Sequence, residues 1–144
     1  MSPQELIPPL LRPMVAMMVL TGVVWLFMYA RRLGTMSRLG IDAQTVNTPQ
    51  KMTAALPESV EFASNNLKNL FELPVLFYAV CLVLVQMGWA THVDVSAAWV
   101  FVGLRALHSA VHCTINIVVV RFVAYLGASL ALWFMLGRLA MRLW

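Results

Sequence analysis

Four long apolar runs, separated by shorter polar segments, dominate the chain. They cover residues of about 10–29, 70–89, 95–120 and 122–141. Each is close to the ~20 residues that a helix needs to cross ~30 Å of hydrocarbon. Because backbone groups in lipid must form hydrogen bonds within their own segment, each run is predicted to be a helix. The pattern predicts an all-α fold with four transmembrane helices.

The connections between these runs define the expected topology. A first loop of about 34–57 is the only extended polar stretch, and its glycines and prolines argue against one continuous helix. Pro57 followed by Glu58 and Glu61 is typical of a helix start, so the second helix is expected to begin in water at about residue 58. The other connections are short and favour antiparallel neighbours. We expect one domain, 1–144, built as a four-helix bundle.

Composition and charge narrow the class of protein. Hydrophobic residues make up 61% of the 144 residues and charged residues 11%, against roughly 25% charged in soluble domains. The formal net charge is +4, but the cations are divided between the two predicted membrane faces, which favours phosphate headgroups of membrane lipids over nucleic acid. More of them flank the first loop, which places that loop in the cytoplasm and both termini on the opposite side.

Polar side chains recur along one face of the second predicted helix. Glu61, Asn65, Asn69 and Glu72 follow each other at spacings of four, four and three residues. Glu61 and Asn65 are equally well explained as a solvated face at the water boundary. Glu72 directly precedes a continuous apolar run, where a buried acid costs on the order of 2.5 kcal/mol or more. Glu72 is therefore a candidate functional residue.

The third predicted helix has a single polar stripe in otherwise apolar surroundings. Arg105, His108, His112 and Asn116 fall within about 80° of each other at ~100° per residue. Ionisable groups inside a membrane mark functional sites by default. No metal site is expected at the two histidines, because the acids lie on another helix. Arg105 is expected to pair with Glu72, within one protomer or between two.

Arg121 lies on the opposite side of an ideal third helix from Arg105. It could reach the polar zone of a neighbouring protomer, the helix could end before it, or it could anchor at the interface by snorkelling to water.

These residues resemble the membrane-associated proteins in eicosanoid and glutathione metabolism, the MAPEG family. Asn69-Leu70-Phe71-Glu72 is similar to the family's Asn-x-x-Glu element, and Arg105-Ala106-Leu107-His108 to its Arg-x-x-His element. The segment Glu72 to Tyr78 resembles a sequence common among bacterial members of the family. This resemblance implies that the protein lies in the bacterial inner membrane. Arg121 stands at the spacing of the family's later arginine.

The resemblance implies a homotrimer that binds glutathione between protomers. The implied ligand contacts are Asn65, Asn69, Glu72, Arg105, His108, His112 and Arg121. Arg105 and Arg121 would be the catalytic residues, stabilising a glutathione thiolate for attack on a lipophilic electrophile or peroxide.

Three positions depart from the family pattern. Asn65 and His112 replace an arginine and a tyrosine, and Phe122 offers no hydroxyl after Arg121. Two functions therefore stay open: a glutathione-dependent transferase or peroxidase, and a non-catalytic trimer that binds a lipid or other small anion at the same place. A third, a proton or ion pathway through His108 and His112, lacks polar residues continuing to the far side.

Overall fold

A computed structural model describes residues 8–144, and this part of the chain is helical with no strand. Helix α1 spans Leu11–Leu39, α2 Pro49–Ala55, α3 Glu58–Leu70, α4 Leu73–Gln86, α5 His92–Cys113 and α6 Val118–Leu143. A 3-10 turn, Ala43–Val46, lies between α1 and α2. Three helical stretches are long and apolar enough to cross a membrane: Leu11–Leu39, Glu58–Gln86 and Val118–Leu143.

Helix α1 is longer than the apolar pattern indicates. It continues past Gly34 and ends at Gly40, whose φ of 63° is left-handed and whose N–H is directed at the carbonyls of Met36 and Ser37. Glycine adopts this conformation without a Cβ penalty and so satisfies the last carbonyls of the helix. The first loop therefore begins at residue 40, rather than at about 34, and contains the 3-10 turn and the short helix α2.

The expected second helix is divided in two. Helix α3 ends at Leu70, and Phe71 and Glu72 separate it from α4. Pro74, in the first turn of α4, has no N–H for the carbonyl of Leu70. The α3–α4 break thus follows from a proline placed one turn after the polar face.

The turn between α5 and α6 lies at residues 114–117, earlier than the pattern of apolar residues places it. Asn116 adopts a left-handed φ of 50°, and its N–H donates to the carbonyl of Val111 over 2.8 Å. Asparagine tolerates this conformation better than most residues. Val118–Val120 and Arg121 consequently belong to α6 and not to α5, which is one of the alternatives open for Arg121.

The helices pack around an apolar core that leaves much hydrophobic surface outside. Phe77 of α4 and Phe101 of α5 are fully buried and stack with ring centroids 4.4 Å apart. Helix α5 packs chiefly against α6. At their far end Asp94 of α5 pairs with Arg138 and Arg142 of α6, so the two helices run antiparallel. Large apolar residues line the outer faces, as expected of helices that face lipid.

Candidate functional site

The α3–α4 break presents Asn69 and Glu72 at the end of α3. Asn69 is half-buried, and Glu72 is exposed with φ −95° and ψ −104°, outside the helical region. The Glu72 N–H makes only a long 3.4 Å contact to the carbonyl of Asn69. The carbonyl of Asn69 therefore keeps the capacity to accept a hydrogen bond from another helix.

Arg105 of α5 provides these hydrogen bonds. Its side chain is fully buried, and Nη2 donates to the carbonyl of Asn69 over 3.0 Å. Nη1 makes a longer 3.5 Å contact to Oδ1 of Asn69, and the guanidinium lies 5.4 Å from the ring centroid of Tyr125. Among the described residues of one protomer, Arg105 forms no ion pair with Glu72. The intramolecular form of the expected pair is therefore replaced by a contact with the helix end.

His108 lies one turn further along α5 and is 3% exposed. Its Nδ1 is 2.9 Å from the backbone carbonyl of Arg121. Because a carbonyl only accepts, Nδ1 must carry the proton, which leaves Nε2 of the neutral ring as an acceptor. Nε2 is buried and has no hydrogen-bond partner among residues 8–144.

Arg121 enters from the first turn of α6. It is half-buried, and its Nη1 donates to Oδ1 of Asn116 in the preceding turn. The left-handed turn thus both starts α6 and orients the arginine that follows. Its backbone carbonyl binds His108, so the α5 and α6 residues are fixed relative to each other.

These residues surround one cavity of about 300 Å³. It lies between the α3–α4 break, α5 and α6, and is lined by Asn69, Glu72, His108, Val118, Arg121, Phe122 and Tyr125. The cavity has the size of a small-molecule site. It combines one carboxylate, one guanidinium, an amide, an imidazole and a phenol with apolar walls.

The other predicted site residues lie outside this cavity. Asn65 is exposed on α3, one turn before Asn69. His112 is buried against His108, with ring centroids 5.4 Å apart, and its Nδ1 has no partner in the described chain. Arg105 lies behind Asn69 rather than on the cavity wall. Asn69, Glu72, His108 and Arg121 are thus the predicted residues that the fold brings together.

Tyr125 is the cavity residue that sequence reasoning missed. It follows Arg121 by four residues, so it lies on the same face of α6. That spacing could have identified it once α6 was known to start before Arg121. Among residues 8–144, no group of three or more His, Cys, Asp or Glu side chains is arranged to hold a metal ion.

Comparison with known proteins places this arrangement in a family. A model of the MAPEG family matches residues 10–141, nearly the whole chain. The chain belongs to the MAPEG family. No curated protein and no solved structure matches it. Together with the three long apolar helices, MAPEG membership indicates an integral membrane protein of glutathione or eicosanoid metabolism.

Proposed function

We propose that this MAPEG protein binds glutathione or a similar anionic ligand and acts as a glutathione-dependent transferase or peroxidase on lipophilic substrates. The observation that carries the proposal is the convergence of Asn69, Glu72, His108 and Arg121 on one cavity from three parts of the chain. Ionisable groups that meet in apolar surroundings are typical of a binding or catalytic site.

The cavity offers glutathione a charged partner of each sign. This tripeptide has one ammonium and two carboxylates, so it needs an acid as well as a cation for recognition. Glu72 is the acid for the ammonium, and Arg121 is the cation for a carboxylate or the thiolate. Asn69 adds an amide that can donate to and accept from a peptide group.

The same groups support thiolate chemistry. A cation beside a thiol favours its ionised form, which is the nucleophile. In a transfer reaction the thiolate sulfur forms a bond to an electrophilic carbon, and the displaced electron pair leaves with the leaving group or takes up a proton. With a hydroperoxide, the thiolate attacks the terminal oxygen and the O–O bond breaks, giving a sulfenic acid and an alkoxide that takes up a proton to become the alcohol. The thiol of a second glutathione then converts the sulfenic acid to the disulfide and water. Tyr125 supplies a phenol that can donate to the thiolate.

A homotrimer with shared sites completes the proposal. Two residues of the cavity lining, Glu72 and Phe122, are exposed, Phe122 to 61%. A neighbouring protomer packed on this face would enclose the ligand and remove Glu72 from contact with lipid. The same packing would offer the buried, unpartnered nitrogens of His108 and His112 a partner from the second chain.

We further propose that α5 is the fourth span. It has 22 residues, or about 33 Å at 1.5 Å per residue, and it runs antiparallel to α6 after a short turn. If α6 crosses the membrane, α5 must return through the same hydrocarbon. We also propose that the protein lies in the bacterial inner membrane. The excess of cations around the first loop fits an orientation with that loop cytoplasmic and both termini opposite.

Phe122 favours the second candidate function, a non-catalytic trimer that binds a lipid or other small anion. It lines the cavity at the position directly after Arg121 and provides no hydroxyl there. The cavity would then keep its charges for recognition, without a hydroxyl on the residue directly after Arg121.

Thermal unfolding with and without glutathione tests binding. A ligand that binds only the native state at 100 times its Kd stabilises the protein by about 2.7 kcal/mol. The purified protein in detergent should show a raised Tm in millimolar glutathione. Glu72→Gln should weaken the binding at least tenfold, whereas Glu58→Gln, an equivalent change of an exposed acid at the start of α3, should not.

Product formation separates the two functions. Conjugation of glutathione to a chlorinated dinitrobenzene, or reduction of a lipid hydroperoxide, should depend on Arg121 and Glu72 in the transferase or peroxidase. A Tm shift without product would support the non-catalytic binder. Absence of any Tm shift at millimolar glutathione would show that neither candidate function involves glutathione.

A further inference from the structure

A second cavity, of about 350 Å³, lies at the other side of α3. It is enclosed by the end of α1, the first loop with helix α2, and α3, and its polar lining includes Arg32, Asn47, Thr48, Glu61, Ser64 and Lys68. It shares no lining residue with the candidate active cavity. Lys68 and Asn69 are consecutive, so about 100° of helix rotation separates the two cavities.

The ion pair in this cavity leaves one cation uncompensated. Arg32 Nη2 donates to Oε1 of Glu61 over 3.0 Å and to Oγ of Ser64 over 3.1 Å. Glu61 is therefore neutralised by Arg32, and Lys68 forms no ion pair with any described residue. The Nε of Arg32 is buried and has no hydrogen-bond partner in residues 8–144. The cavity has a net positive charge and an unused buried donor.

The neutral groups add further donors. Lys51 Nζ donates to Oδ1 of Asn47, and the Lys51 N–H donates to Oγ1 of Thr48. Ser64 Oγ already accepts from Arg32. Asn47, Thr48 and Ser64 each keep hydrogens that they can donate: the amide N–H groups of Asn47 and the hydroxyl hydrogens of Thr48 and Ser64.

A cation surrounded by free donors suits an anion with several oxygens. Carboxylates offer two oxygens, whereas a phosphate offers three or four and can accept from several donors at once. Val46 and Met52 give the cavity an apolar wall, and it extends along α3 from Glu61 to Lys68, next to the polar first loop. Basic pockets between membrane helices at the cytoplasmic side bind phosphate headgroups in this way.

We propose that this cavity, between α1, the first loop and α3, is a phosphate-binding site whose ligand is the headgroup of an anionic phospholipid or free phosphate. Lys68 provides the charge, and Asn47, Thr48 and Ser64 provide neutral donors. The site is separate from the proposed glutathione cavity and does not depend on its function. It gives the first loop a role, because Asn47 and Thr48 belong to that loop.

Binding of a phospholipid headgroup is tested with the protein in nanodiscs. Its Tm is measured in phosphatidylcholine alone and with added phosphatidylglycerol, and native mass spectrometry counts retained phosphatidylglycerol. Lys68→Gln should weaken phosphatidylglycerol binding about fivefold, since a basic residue near a lipid phosphate contributes about 1 kcal/mol. Arg38→Gln removes the same charge from an exposed position at the end of α1, outside the cavity, and should weaken binding clearly less than Lys68→Gln does.

Binding of free phosphate is tested with the protein in detergent without anionic lipid. The Tm is compared in inorganic phosphate and in chloride at equal ionic strength, with the same two variants. A phosphate-specific rise that Lys68→Gln reduces supports free phosphate, and a lipid effect alone supports the headgroup. Equal losses in Lys68→Gln and Arg38→Gln would indicate only general surface charge and overturn the site, as would absence of both effects. Folding of each variant is checked by its Tm in phosphatidylcholine.

Discussion

Replacing Arg105 by methionine or by lysine separates the energetic cost of its charge from the hydrogen bonds that it makes. The side chain is fully buried, donates to the Asn69 carbonyl over 3.0 Å, and lies 5.4 Å from the Tyr125 ring centroid. No carboxylate pairs with it among the described residues. Its charge is therefore buried with only partial compensation.

Two contributions to the free energy of unfolding oppose each other when methionine replaces Arg105. Methionine loses a charged hydrogen bond worth about 1.5–3 kcal/mol, but it also removes the several kcal/mol of desolvation that a buried ion costs. We expect Arg105→Met to lie within about 2 kcal/mol of the native free energy of unfolding. Lysine keeps the charge, but its ammonium cannot reproduce the planar pair of Nη groups with which Arg105 contacts Asn69. If α5 spans the membrane as proposed, a lysine in it is about 3 kcal/mol less favourable than an apolar residue, so Arg105→Lys should be less stable than Arg105→Met by about that amount.

Equilibrium unfolding in mixed micelles, titrated with SDS and followed by circular dichroism, measures these differences. Arg38 is the control, because it is exposed at the end of α1 and its Met and Lys variants should differ by less than about 0.5 kcal/mol. If Arg105→Lys proves as stable as the native protein, or more stable than Arg105→Met, the charge of Arg105 is well solvated and the reasoning is wrong. Ligand binding should be weakened in both variants, since Asn69 and the α3–α4 break lose their anchor.

Two further predictions concern packing away from the cavity. Asp94→Ala should lower the free energy of unfolding by at least ~1 kcal/mol, because Asp94 forms a capping box with Thr91 and also binds two arginines of α6. The same SDS titration measures this loss, and an unchanged midpoint would contradict a structural role for Asp94. Gly137→Ala should stabilise α6 by up to about 1 kcal/mol, since nothing lies within 4 Å of its added Cβ. In Gly127→Ala the added Cβ would lie 2.9 Å from Leu104 Cδ1, so this variant should show a smaller gain or a loss. Equal effects in the two variants would show that Leu104 moves away freely.

Local features of the chain were predictable because they depend on near neighbours. Apolar runs predict helices wherever the backbone must bond to itself, and the all-α fold is confirmed within residues 8–144. Helical spacing placed Asn69 and Glu72 on one face and Arg105 and His108 on another. The family elements at these positions agree with the match to MAPEG.

The ends of the helices were harder to predict, since they depend on single residues. The apolar run of the third helix continues through Val118–Val120, so hydropathy alone shows no boundary there. The left-handed Asn116 creates the turn, which moves Arg121 onto α6. The second helix was expected to continue from about residue 58 into the apolar run, but the chain leaves the helix at Phe71 and Glu72, just before Pro74.

The sequence by itself determined a helical membrane protein with ionisable groups on two helix faces, because hydropathy and helical period are properties of neighbouring residues. Only the tertiary structure decided what those groups contact. It directs Arg105 to the carbonyl of Asn69, brings Arg121 and Tyr125 to His108, and leaves Asn65 outside the cavity. The physical reason is that carbonyls left unsatisfied at a helix end need donors, and which distant side chain supplies them depends on how the helices pack.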